Sequence, residues 1–112
     1  MTFDELKKNK PTTSWVEYDE DGEFFTKENI SATNTVLDTY INNLEKLGKN
    51  PTEVEIMHVV KEVVLNINEL NDEHDYFIET MEREDLYEFI DTAVRIAGLE
   101  SEEDITEEWR EW

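Results

Sequence analysis

The chain has 112 residues, of which 30 are acidic and 10 basic, so its formal net charge is -20. At this length we expect a single domain with one hydrophobic core, and the absence of cysteine excludes disulfides and thiol chemistry. Such a negative field repels nucleic acid and anionic membranes and favours basic partners, although a highly charged surface can also serve solubility alone.

The hydrophobic content of the chain is sufficient for a folded core. Hydrophobic residues make up 38% of the sequence and aromatic residues 11%, while a mean hydropathy of -0.72 indicates a heavily solvated surface. The amino terminus, MTFDELKKNK, has no apolar segment of the kind found in signal peptides. We therefore expect a soluble, cytoplasmic protein that does not contact membranes.

The negative charge is concentrated towards the carboxyl terminus. Residues 1–68 carry thirteen acids and seven lysines (net -6), whereas residues 69–112 carry seventeen acids and three arginines (net -14). The sequence thus predicts that the acidic end of the molecule is its carboxy-terminal part.

The first forty residues show one capping signal and one turn signal. The pattern Thr2-Phe-Asp-Glu5 fits a capping box and predicts a short helix to about Lys8, ended by Pro11. Residues 14–25, SWVEYDEDGEFF, place aromatics and acids around an Asp-Gly dipeptide that favours a tight turn. A short hairpin and an ordered loop both fit this segment.

Two amphipathic helices are predicted in the middle of the chain. The first starts at Ser31 or Thr33 and ends at Gly48, a residue suited to a left-handed C-cap. The second covers 52–73 and opens with the capping box Thr52-x-x-Glu55. Its apolar residues repeat at alternating intervals of four and three, leaving a narrow polar stripe, so this helix should lie at the centre of the fold. Those residues are Ile56, Val60, Val63, Ile67 and Leu70.

Two further helices are predicted after the central one. One begins near Thr80 and is closed by Gly98, with Leu99 placed to fold back as in a Schellman cap. A final short helix starts at Ser101 or Thr106 and carries Trp109 and Trp112 on one side. The predicted fold is all-α, a compact bundle of four to five helices in a single domain, with a possible short hairpin or ordered loop near residues 14–25.

The carboxy-terminal half resembles a known family in the order and spacing of a few residues. His58 of the central helix is followed by Ile-Glu-Thr at 78–80 with Arg83, then by Gly98, and finally by Arg-Glu-Trp at 110–112. Over residues 58–112 this order is similar to that of a family of small acidic bacterial proteins whose domain has no assigned function. The resemblance implies a compact helical fold and no particular chemistry.

One segment overlays the twelve-residue calcium loop of an EF-hand. Oxygen ligands at Glu17, Asp19, Asp21 and Glu28 occupy loop positions one, three, five and twelve, and Gly22 occupies position six. Position one is ordinarily Asp, and Pro11 hinders a full entering helix. We therefore interpret this segment as an acidic turn, with calcium binding as the alternative.

No catalytic or metal site is predicted. Glu55-x-x-His58 has the spacing of a di-iron ligand pair, but a second such pair is missing. The three arginines Arg83, Arg95 and Arg110 lie among many acids, which favours ion pairs between helices over substrate binding. We expect no cofactor, and an enzymatic role is the weaker hypothesis.

The predicted function is therefore non-enzymatic binding of a basic protein by an acidic helical surface. A toxin-neutralising (immunity-like) or nucleic-acid-mimicking inhibitor is its concrete form. The alternative is a calcium-binding or small hydrolytic protein that uses residues 17–28. Trp109 and Trp112 either serve as exposed anchors for a partner or close the open end of the core. The predicted partner-binding residues are Glu102, Glu103, Glu107, Glu108, Trp109 and Trp112.

Overall fold

The computed structural model describes residues 2–19, 25–100 and 103–112, without the side chain of Tyr18. Within these residues the chain forms five helices and no strand, which confirms the predicted all-α bundle. The helices are α1 Phe3–Lys8, α2 Thr12–Tyr18, α3 Lys27–Lys46, α4 Glu53–Glu73 and α5 Thr80–Ala97.

The central position predicted for the 52–73 helix is confirmed. Helix α4 makes its most extensive contact with α3, and it also packs on α5. The apolar face read from the sequence is the buried face, because each residue of the four–three repeat is at most 5% exposed. Val60 and Ile67 have no exposed surface at all.

The predicted helix ends match the capping chemistry. The hydroxyls of Thr2 and Thr52 accept hydrogen bonds from the amides of Glu5 and Glu55, and both reciprocal glutamate bonds are present. Helix α5 ends at Gly98, whose φ of 110° is accessible to glycine at little cost. The Leu99 amide then donates to the Val94 carbonyl at 2.9 Å, so the predicted Schellman closure is confirmed.

The segment that suggested a hairpin is helical over residues 14–18. Residues Thr12–Tyr18 form α2, so a strand beginning at residue 14 is wrong, and residues 20–24 lie outside the described part of the chain. The reason is a long-range contact: Trp15 is fully buried, and its indole Nε1–H donates to the Asp85 carboxylate of α5 at 3.0 Å. Its ring also stacks on Phe25, with 5.3 Å between ring centroids.

Helix α3 begins four residues earlier than the earlier of the two predicted starts. Its N-cap is Thr26, whose hydroxyl accepts from the Asn29 amide at 3.1 Å. The sequence prediction followed apolar spacing and overlooked this cap. The early start places Asn29 and Thr33 in the core, where Thr33 is fully buried and its hydroxyl donates to the Asn29 carbonyl.

A final helix is not formed in residues 103–112, and that prediction is wrong for the described residues. This segment, which we call the strap, makes successive turns instead. Asp104 accepts hydrogen bonds from both the amide and the hydroxyl of Thr106, a local pattern that competes with helix formation. The Glu111 amide, which a helix would direct to Glu107, donates to the Asn68 side chain of α4 instead.

One hydrophobic cluster contains residues of all five helices and of the strap. Tyr40 links α3 to α5, because its buried hydroxyl donates to the Ile90 carbonyl at 2.9 Å. Burial, with a smaller contribution from the Asp91 carboxylate, holds the pKa of Tyr40 well above its usual range. Members from the separate elements include Leu6, Trp15, Leu37, Val60, Ile90 and Ile105.

Candidate functional site

A concave acidic surface lies where the beginning of α4, the end of α5 and the strap meet. Its volume is about 490 Å³. Six acidic and three apolar residues line it, and no lysine, arginine or histidine does so within the described chain. We call this surface the acidic groove; its lining residues are Glu53, Met57, Leu99, Glu100, Glu103, Asp104, Ile105, Glu107 and Glu108.

The ends of α4 and α5 determine the position of two sides of the acidic groove. The capping box at Thr52 starts α4 so that Glu53 stands, exposed, in its first turn. Gly98 ends α5, and the bond from the Leu99 amide folds the chain back. Leu99 is then half-buried while Glu100 points to solvent. The apolar residues thus pack towards the core and the carboxylates remain at the surface of the groove.

The strap is ordered by a network around Asp104. One oxygen of its carboxylate accepts the two bonds from Thr106, and the other accepts from the Arg110 guanidinium. Burial alone would raise the pKa of Asp104, but the bonds from Thr106 and Arg110 outweigh it and lower that pKa. Arg110 also bonds the Thr106 hydroxyl and lies 5.6 Å from the centre of the Trp112 ring. The charge of Arg110 is therefore paired with a carboxylate of the strap itself.

Asn68 of α4 attaches the strap to the helices. Its amide nitrogen donates to the Trp109 carbonyl at 2.8 Å, and its amide oxygen accepts from the Glu111 amide at 2.9 Å. The two bonds are made to the residues on either side of Arg110, and both involve backbone atoms of the strap. Ile105 and Thr106 are buried at 8% and 0% exposure, so the strap is held by apolar packing and by this amide.

The predicted partner-binding residues separate into three groups. Glu103, Glu107 and Glu108 are exposed and line the acidic groove, and their role in binding stays a prediction. Trp109 and Trp112 are half-buried, pack against the core and do not line the groove. The structure therefore favours the core-closing alternative for the two tryptophans. Glu102 lies outside the described residues.

The arginines behave differently from the prediction. Arg95 pairs with Asp91 one turn away on the same helix, and Arg110 pairs with Asp104 inside the strap. The prediction that these two arginines join different helices is therefore wrong. For Arg95 the reason is that i, i+4 neighbours on a helix meet before any residue of another helix does. For Arg110 it is that the turns of the strap bring Asp104 and Thr106 next to the guanidinium.

The glutamate and histidine of the proposed di-iron spacing do not converge on a common point. Glu55 binds the Thr52 amide and hydroxyl, and these bonds lower the pKa of Glu55. His58 instead faces Glu62, with 3.0 Å between Nε2 and the carboxylate, and both side chains are exposed. Among the described residues, no group of three or more histidine, aspartate or glutamate side chains is arranged to hold a metal ion.

The calcium-loop alternative concerns residues that are only partly described. Asp21 and Gly22 lie outside the described chain. The Asp19 carboxylate accepts from the Phe25 amide at 2.8 Å, and Glu28 lies in the first turn of α3. Calcium binding therefore stays a prediction, and so does the preferred acidic turn.

We expect millimolar calcium to raise the melting temperature no more than magnesium does at equal ionic strength. An ion that binds the folded state stabilises it once its concentration exceeds the dissociation constant, so a real site would show a calcium-specific rise. Thermal unfolding of the wild type and of Glu28→Gln measures this directly. A calcium-specific rise that is lost in Glu28→Gln, but kept in Glu69→Gln, would establish the alternative.

Comparisons with known proteins add no family or relative. No protein-family model matches this chain, and no curated protein or solved structure matches it significantly. The resemblance to small acidic bacterial proteins therefore stays a prediction. We also find no helix in residues 2–19, 25–100 and 103–112 that combines the length and apolarity needed to cross a bilayer.

Several groove and strap residues were missed by the sequence analysis. Glu53 and Met57 lie more than forty residues before the strap in the sequence, and no local pattern relates them to it. Asn68 did carry a signal. The polar residues of α4 follow a regular stripe, and Asn68 falls outside it, beside the apolar face. A half-buried amide at such a position indicates a backbone partner, because buried polar groups are hydrogen-bonded.

Proposed function

We propose that this protein is a non-enzymatic binding protein whose acidic groove receives basic side chains of a protein partner. A toxin-neutralising (immunity-like) or nucleic-acid-mimicking inhibitor is the form we favour. The observation that carries the proposal is the lining of the groove, in which six carboxylates surround an apolar floor and no basic side chain is present within the described residues.

The apolar floor argues for lysine or arginine side chains as the bound groups. Met57, Leu99 and Ile105 supply hydrocarbon surface between the carboxylates. Lysine and arginine pack their aliphatic stems on such surface and keep the charged end among acids or in water. A hydrated phosphate or an anionic lipid headgroup would be repelled from the same surface. The groove therefore suits a basic protein better than nucleic acid or membrane.

Electrostatics supports a fast and salt-sensitive association. Glu53, Glu100, Glu107 and Glu108 are exposed, and none of them forms an ion pair within the described residues. Unneutralised charges of one sign in a concave surface attract oppositely charged partners over about 8 Å at physiological ionic strength. A nuclease or similar target with a positive cleft is the kind of partner that such a surface would occupy.

Neutralising the groove should weaken this association without unfolding the protein. In the variant Glu53→Gln, Glu100→Gln, Glu107→Gln and Glu108→Gln, we expect the association rate with a basic partner or with hexalysine to fall roughly tenfold at low salt. The dependence of that rate on salt should also become weaker. Stopped-flow or surface-plasmon measurements at several salt concentrations test both expectations.

A matched control separates the groove from net charge. The variant Glu69→Gln, Glu73→Gln, Glu84→Gln and Glu88→Gln removes the same number of charges from exposed positions outside the groove. It should retain most of the wild-type association rate. Equal losses in the two variants would show that only overall charge matters. Binding that is equal at low and high salt would contradict the electrostatic proposal altogether.

A further inference from the structure

The acidic groove is assembled from three parts of the chain. Glu53 and Met57 belong to α4, and Leu99 and Glu100 follow α5 directly. The remaining lining residues, among them Glu107 and Glu108, belong to the strap. Without the docked strap, more than half of the groove's lining is absent. The binding surface therefore exists only while the strap lies on the helices.

The strap is internally ordered, and it is attached to the helices by apolar packing of Ile105, Trp109 and Trp112 and by polar bonds to one side chain of α4. Its one basic residue, Arg110, binds Asp104 within the strap. The polar bonds from a helix to the strap that we observe both come from Asn68. Asn68 lies fifteen residues after Glu53 on α4, roughly 22 Å along the helix, so it bonds the strap without lining the groove.

Charge opposes docking of the strap. The strap carries five acidic residues and one arginine, and it faces Glu53 and Glu100 across the groove. Like charges on the two walls repel each other, and this repulsion is absent when the strap is released. A cation bound between the walls reverses the sign of the interaction, because it attracts both.

We propose that docking of the strap through Asn68 assembles the acidic groove, and that a basic ligand and the docked strap stabilise each other. This inference rests on the proposed function of the groove. Asn68 is a positioning residue in this scheme, since it holds the strap backbone and does not line the groove. Thermodynamic linkage is reciprocal. If docking of the strap raises the affinity for the ligand by a given factor, the ligand raises the equilibrium constant for docking by the same factor.

The experiment measures amide hydrogen exchange in the strap with and without hexalysine at low salt. In Asn68→Leu both bonds to the strap are lost, and we expect exchange of the Trp109, Arg110 and Glu111 amides to become about tenfold faster. Amides in the middle of α4, around Val60 and Val63, should keep their wild-type protection. Asn66→Leu is the matched control, an exposed asparagine on the same helix that should leave the strap unchanged.

Hexalysine provides the reciprocal measurement. It should slow strap exchange in the wild type, and Asn68→Leu should bind it several-fold more weakly than the Asn66→Leu control. A second variant, Glu107→Gln with Glu108→Gln, has a distinctive expected result. Removing two repelling charges should slow strap exchange in the free protein and, at the same time, weaken hexalysine binding. These two opposite effects are expected because the same carboxylates repel the opposite wall and attract the cation, whereas the coupling itself is tested by Asn68→Leu.

The outcomes distinguish this inference from the proposed function. Unchanged strap exchange in Asn68→Leu would overturn the role of Asn68, whatever the protein binds. Faster exchange with undiminished hexalysine binding would overturn the coupling and leave the groove proposal in place. If hexalysine fails to bind the wild type at low salt, both the proposed function and the coupling fail. Slower exchange with hexalysine, lost in Asn68→Leu, is the result that supports the inference.

Discussion

Replacing Val63 with aspartate is expected to unfold the domain or to reduce its free energy of unfolding by about 3 kcal/mol or more. Val63 lies in the middle of α4 with 2% of its surface exposed. A carboxylate at that position would lose its hydration inside the hydrophobic cluster. Urea denaturation monitored by circular dichroism measures the change.

The same substitution on the outer face of α4 is the control. Leu65 is two residues further along and 44% exposed, so Leu65→Asp places its charge in water and should change stability far less. The two variants have equal net charge, and Leu65→Asp loses more helix propensity than Val63→Asp does, so propensity cannot account for a larger loss in Val63→Asp. If they proved equally stable, the central position of α4 would be contradicted.

Replacing Trp15 with alanine is expected to reduce the free energy of unfolding by about 3–5 kcal/mol, the usual range for a fully buried tryptophan. Trp15 has no exposed surface, and three interactions are lost at once: its packing, its stacking on Phe25 and its hydrogen bond to Asp85. Trp15 would have this effect on stability although it lies in α2, a helix of only seven residues. Chemical denaturation again provides the measurement.

Two further variants resolve the contributions of Trp15. Trp15→Phe keeps an aromatic ring but removes the donor to Asp85, so it should cost less than the alanine variant. Val16→Ala changes the neighbouring residue, which is 53% exposed, and should stay within about 0.5 kcal/mol of the wild type. A loss below about 1 kcal/mol in Trp15→Ala would mean that Trp15 does not anchor α2 in the core.

The elements that could be predicted are those whose signals are local. The capping boxes at Thr2 and Thr52 and the glycine at 98 each involve residues within a few positions, and each helix end was found there. Long apolar periodicity was equally reliable in α4 and α5. These features depend on backbone hydrogen bonds and on the helical repeat, which are the same in every protein.

Prediction failed where distant residues decide the local structure. The segment around Trp15 has aromatic residues and a nearby Asp-Gly pair that suit a hairpin, yet its contact with Asp85, seventy positions later, makes it helical. The 103–112 segment has helical spacing of its tryptophans, yet Asp104 and Asn68 take the amides that a helix would use. Neither partner is visible from the local sequence.

The amino-acid sequence alone indicated an acidic all-α bundle whose negative charge is concentrated towards the carboxyl terminus. It also identified the glutamates at 103, 107 and 108 as candidate binding residues. That these glutamates form one groove with Glu53 and Glu100, while the adjacent tryptophans pack against the core, became visible only in the folded structure. Net charge and apolar periodicity can be read directly along the chain. A groove, in contrast, depends on which helix ends lie next to each other, and packing of the whole core determines that arrangement.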